Sequence, residues 1–141
     1  MSDPRLSKIA NNSELVQDHI HSEQRVYPTL ADPVAVTAGA GAWNLSAGFT
    51  EIVPTATITA PFDIHYITIS DADTNEDYEV VLYAIEVEIA RIAFTRTAQF
   101  VQSFALPVTT PILPAGTQIQ AKSADGTGGA IANLKIFYHT Y

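Results

Sequence analysis

The stretch Ile136-Phe137-Tyr138-His139-Thr140-Tyr141, "IFYHTY", decides the fold class. It packs three aromatic rings and a histidine among β-branched neighbours, which reads as strand and not as helix. Alternation puts Ile136, Tyr138 and Thr140 on one face and Phe137, His139 and Tyr141 on the other. A strand with bulky residues on both faces is covered on both sides, by an opposing sheet and by a neighbouring subunit. Tyr138 is read as core and His139 as a hydrogen-bonded interface residue. The strand extends back to Ile131, and its loss is expected to abolish folding or assembly.

Working outward, "SADGTGG" before it is a loop, and Thr117-Gln-Ile-Gln-Ala-Lys122 alternates polar out and apolar in. The prolines from Pro107 to Pro114, followed by Gly116, block ladder pairing and turn the chain. A short strand is expected within Gln99–Leu106. Glu88–Arg96 and Tyr78–Tyr83 read as the two strands of a hairpin, and Phe62–Ile69 as another strand closed by "SDADTNED". The sequence therefore predicts an all-β chain, a β-sandwich or jelly roll of six to eight strands. No internal repeat is evident.

The N-terminal part differs in texture. Residues 31–60 are nearly uncharged and rich in Ala, Gly and Thr, with strand-like pieces at Val34–Thr37 and Thr57–Ala60. Trp43 and Phe49 are their bulky anchors. Such a segment is too apolar for a free linker and is expected to lie against the body or another subunit. In residues 1–30 the apolar content is thin: Leu6, Ile9, Leu15, Val16 and Ile20. Asp3-Pro4 is a plausible helix start, so this part reads as an extended, partly helical arm ordered by a partner, or else as a free tail. The division expected is 1–57 for arm and interface segment and 58–141 for the β-body.

Composition narrows the function. Seven basic against 15 acidic residues give a formal charge of −8, which argues against a nucleic-acid partner, since that affinity comes from Lys and Arg on phosphates. Arg91, Arg96 and Lys122 are too scattered for a basic patch. With no cysteine there is neither a disulfide framework nor thiolate metal ligation. No window approaches an apolar membrane span, and Met1-Ser-Asp-Pro-Arg lacks a signal-peptide pattern, so a soluble protein made in the cytoplasm is expected.

Candidate chemistry is sparse. Asp71-Ala-Asp73-Thr-Asn75-Glu-Asp77 alternates oxygens as a calcium loop does, but Glu76 stands where such a loop needs glycine and Leu82 where it needs a bidentate glutamate. It reads as a polar turn. Asp63, His65 and His139 have positions from which they could meet across a sheet as a metal or acid–base group. No Gly-x-Ser-x-Gly elbow or phosphate loop occurs, and Glu86 with Glu88 sits at an open hairpin. The reading is no enzyme, no cofactor and no metal.

The runs "TAPFDIHYITI", "DYEVVLY" with "EIARIAFTR", "TPILPAGTQIQAKSADGTGGA" and "IFYHTY" resemble small virion structural proteins of tailed bacteriophages, the head decoration (cement) or auxiliary proteins. The resemblance spans about residues 58–141. The glycine expected at the hairpin turn within "YAIEVEIAR" is missing from this sequence. The resemblance implies self-association into a trimer, with the major capsid protein as partner and a place on the outer surface of the virion. It implies a protein that stabilises the shell by bridging capsid subunits. The interface residues expected are Leu6, Ile9, Leu15, Val16, Ile20, Trp43, Phe49, Phe137, His139 and Tyr141. A rival reading is a carbohydrate- or receptor-binding module of a head fibre or tail tip, with Tyr66, Tyr83 and Phe100 stacking on sugars.

Overall fold

The structure, a computed structural model, describes residues 24–29, 31–98 and 104–141. These form nine strands and no helix: β1 (Gln24–Tyr27), β2 (Val34–Thr37), β3 (Thr50–Val53), β4 (Phe62–Ala72), β5 (Asp77–Ala84), β6 (Val87–Thr95), β7 (Phe104–Pro107), β8 (Ile119–Asp125) and β9 (Ile131–Thr140). They build a β-sandwich of two antiparallel sheets. The first sheet runs β1-β9-β4-β7, with β2 also on β9, and the second runs β3-β8-β5-β6. The expected partly helical arm falls on residues outside the described ones.

The strand that contains "IFYHTY" is the axis of the first sheet. One edge of β9 is shared end to end by β1, against residues 136–139, and β2, against residues 131–134. Its other edge pairs with β4 along its whole length. The alternation holds: Ala132, Leu134, Ile136 and Tyr138 face the core, with Leu134 and Ile136 fully buried. Phe137 and His139 face the other way and are half-buried.

β4 keeps its apolar side chains inward only by changing phase twice. Register shifts fall between Ile64 and Tyr66 and between Ile69 and Asp71. Each bulge inserts one residue, so Phe62 and Ile64, then Ile67 and Ile69, then Ala72 all reach the core although their spacing is not a constant two. The continuous apolar texture that hides this phase change is what made the segment legible as strand but not as bulged.

The second sheet is covered more heavily than simple alternation predicts. In β8 Ile119, Ala121 and Ser123 turn inward, but Gln120 and Ala124 on the opposite face are also buried. Val81 in β5 is fully buried on that same outer face, where its cross-strand partners are Lys122 and Arg91. Between the sheets, Tyr78 stacks on Phe94 at 4.9 Å and Phe62 meets Tyr138 edge-on at 5.9 Å.

Two differences from the sequence reading concern residues 24–57. The segment read as arm and interface supplies β1, β2 and β3 to the two sheets from residue 24 onward, β2 being the strand-like piece expected at Val34–Thr37. Val36, Ile52 and Val53 are core residues, in strands of only four residues flanked by glycine, alanine and proline, too short to carry a period of their own. Thr57–Ala60, expected as strand, is turn and bend; the strand lies earlier, at β3. Of the strand expected within Gln99–Leu106, the described part is β7, and residues 99–103 are outside the described ones.

Candidate functional site

The connections between sheets gather at two ends of unlike character. At one end the β2–β3, β4–β5 and β8–β9 loops meet. Asp125 organises them: its side chain is fully buried and accepts the backbone N–H groups of Thr127 at 2.8 Å, Ala130 at 2.9 Å and Gly128, along with the Thr127 hydroxyl. Burial alone would raise its carboxyl, but those hydrogen bonds outweigh it and hold the group below its ordinary value. Gly128 has φ +103 and lies so close to the Gly41 backbone that no side chain fits there. The Asp125 carbonyl in turn accepts the Trp43 N–H at 2.7 Å. Trp43 has a left-handed φ of 59 and is 52% exposed.

The acidic run sits at this end. Its oxygens serve turns and strands: Asp73 Oδ1 accepts the Ile131 N–H at 2.9 Å, Asn75 Oδ1 accepts Arg96 at 2.6 Å, and Asp77 Oδ1 accepts the Thr95 hydroxyl at 2.5 Å. Among the described residues no group of three or more His, Asp or Glu is placed to hold a metal ion.

The opposite end is formed by the β3–β4 loop, the β5–β6 turn and the β7–β8 loop, which are bonded to one another. Ala56 N–H donates to Gly116 and Gly116 N–H to Ile58; Phe62 and Leu113 exchange a pair of bonds; Ile85 N–H donates to Gln118. Residues 52–62 and 105–117 contain no charged side chain at all. Three large apolar residues stand in water here: Ile85 is 65%, Val87 66% and Ile112 58% exposed. The turn itself is strained. Ile85 and Glu86 have φ of 47 and 65, a left-handed pair that a β-branched residue adopts at a cost. This is the hairpin from which the sequence lacked the expected glycine. It is braced by Gln120, whose Oε1 accepts the Glu86 N–H at 2.9 Å. Glu88 accepts a hydrogen bond from Arg91 at 2.7 Å, while Glu86 stands exposed at the turn.

On the outer face of the first sheet the structure brings together Asp63, His65 and His139, with Tyr141. His65 Nε2 lies 2.8 Å from Asp63 Oδ1, the Tyr141 hydroxyl donates to Asp63 Oδ2 at 3.0 Å, and the two imidazoles stack at 4.2 Å. Burial and then the Asp63 carboxylate push the Tyr141 phenol up. Stacked rings do not align nitrogen with nitrogen for proton relay; the group fastens residue 141 to β4, helped by the bond from Tyr141 N–H to Pro61 at 2.8 Å.

The remaining expected interface residues divide as follows. Leu6, Ile9, Leu15, Val16 and Ile20 lie outside the described residues. Phe49 meets Tyr83 edge-on at 4.9 Å, with Lys122 Nζ 4.3 Å above its ring, and is still 37% exposed. Of the aromatics offered for sugar stacking, Tyr83 is thereby half-covered, Tyr66 stays 38% exposed, and Phe100 is outside the described residues. Sequence reasoning missed Ile85, Val87 and Ile112, although an apolar pair flanking a glycine-free turn was a usable signal. It missed buried Asp125 too, which the Gly-rich stretch after it foreshadows. No helix among the described residues is long and apolar enough to cross a membrane. A scan against protein-family models finds no match for this sequence, and a search of curated proteins finds none either.

Proposed function

We propose that this chain is a non-enzymatic structural subunit that decorates the outside of a bacteriophage head, docking through its apolar loop end. The observation that carries the reading is the polarity of the molecule. Three interlocked loops expose Ile85, Val87 and Ile112 and carry one charge, Glu86, while the run with Asp71, Asp73, Glu76 and Asp77 lies at the far end. Exposed apolar residues gathered at one end of the molecule suit a protein interface. An acidic far end suits a surface turned to water and away from packaged DNA. The strand order β2-β9-β4-β7 facing β3-β8-β5-β6 is that of an eight-stranded jelly roll, an architecture used by capsid and lectin domains alike. The fold is compatible with the reading without selecting it, and the exposed apolar residues of the loop end are what favour it.

In this reading the subunit is a trimer on the major capsid protein, and residues 1–23 reach a neighbouring subunit through Leu6, Ile9, Leu15, Val16 and Ile20. Modest contacts then add by multivalency across a joint in the shell. The test is the mass of the free protein in solution together with its copy number on purified particles. A trimer present at about the number of capsid subunits supports decoration. A few copies per particle, with glycan binding through the exposed Tyr66, supports the receptor-binding reading instead. Deleting residues 1–23 should weaken particle binding and leave the sandwich folded.

A further inference from the structure

A second site, separate from the docking end's exposed apolar residues, lies where edge strand β1 and the end of β9 pass under the β3–β4 loop. A cleft of about 230 Å³ is lined there by Arg25, Tyr138 and Thr140 from the sheet and by Thr57, Ile58, Thr59 and Ala60 from the loop. Arg25 and Tyr138 are direct cross-strand partners, and Thr140 is two residues on, so all three project from the same face. Ile58 is 4% exposed and forms the apolar wall.

Tyr138 carries the argument. The residue is only 8% exposed, with its ring held edge-on by Phe62. No hydrogen bond to its hydroxyl is found among the described residues, and that oxygen is not one of the buried unpartnered atoms. A phenol enclosed at its ring and open at its oxygen presents that oxygen to the cleft it lines. The remaining lining groups are one guanidinium and three threonine hydroxyls. A guanidinium matches a planar carboxylate, and hydroxyls that both donate and accept match vicinal sugar hydroxyls. The phosphate alternative would call for more positive charge than one arginine on a chain of net charge −8. The volume is below the roughly 300–1,000 Å³ of sites for drug-sized ligands, and suits one sugar ring.

From this geometry we infer that the Arg25–Tyr138–threonine cleft binds a single carboxylate-bearing sugar residue, a uronic acid unit of a polysaccharide. The cleft uses none of Ile85, Val87 and Ile112, although its loop wall, Thr57–Ala60, belongs to the same end of the molecule as they do.

The experiment is calorimetric titration of the full chain with a short oligogalacturonate, with the matching neutral oligogalactoside and a glutamate-rich peptide as controls. Binding of the uronate and at least tenfold weaker binding of the neutral sugar and the peptide are expected. Arg25→Gln and Tyr138→Phe should each weaken uronate binding about tenfold, the size of one lost charged or buried hydrogen bond, with the unfolding midpoint kept. Tyr138→Phe keeps the ring and so keeps the core. If no uronate binding is detected, if the peptide binds as well as the sugar, or if both variants bind like the parent, the inference is overturned.

Discussion

Asp125 shows how one side chain can set the shape of a loop end. The residue is wholly enclosed, and an ionised carboxylate there is tolerable only because four donors converge on it. Its carboxyl is held below the ordinary value, so the folded state prefers the charged form. The sign of the linkage follows. Stability from this group is fully present above the unfolded-chain value near ~3.9, and is lost as pH falls from there through the lower folded value. Asp125→Asn should therefore cost about 2 kcal/mol at neutral pH, the scale of a hydrogen bond to a charged group. Urea unfolding at neutral pH and near pH ~3 checks this: the gap between parent and variant should shrink in acid. A gap of the same size at both pH values would show that the charge of Asp125 does not matter.

At the scale of elements, β9 and the β5–β6 hairpin make opposite demands. β9 pairs with β1, β2 and β4, and its residues Ile136 and Tyr138 are core. Removing residues 136–141 strips β1 of its partner and opens the core, so the truncated chain should show no cooperative unfolding in circular dichroism; a sharp transition would refute this. The hairpin instead stores strain at Ile85 and Glu86, where Asn-Gly is the favoured pair. Replacing them by Asn-Gly should raise stability by about 1 kcal/mol, read from the denaturation midpoint. If the strained, exposed Ile85 serves the proposed docking, the stabilised variant should dock less well. These elements also mark what a sequence can reveal. The strands of β4, β5, β6, β8 and β9 are legible because their apolar and β-branched runs are long. β2 is legible at Val34–Thr37, whereas β1 and β3 are not, since four residues hold no period and their pairing with β9 and β8 is distant in sequence. Asp63, His65 and His139 were legible as neighbours, because alternation fixes their face; their stacking, and the fastening role of Tyr141, depend on the bulge after Ile64. The loop end was hidden because loops 54–61 and 108–118 come together only through β-pairing elsewhere.

The whole molecule has one asymmetry: an apolar end whose three loops carry only Glu86, and an end bearing the acidic run, set apart by the length of a sandwich. Solubility and docking are then assigned to different ends of one rigid body, and neither compromises the packing between the sheets. Placing a charge on exposed residues of the loop end should abolish docking without touching the core, since Ile85 and Ile112 are more than half exposed and surface changes of this kind shift stability by about 0.5 kcal/mol or less. The most direct measurement is saturation binding of the double variant Ile85→Asp/Ile112→Asp to purified particles stripped of this protein, beside the parent chain. Expected are an unfolding midpoint no lower than the parent's, since Asp takes the left-handed position 85 more easily than Ile, and occupancy reduced at least tenfold, since desolvating a carboxylate within an interface costs more than the 1.4 kcal/mol that corresponds to tenfold. A folded double variant that saturates the particles at the parent's concentration would contradict it.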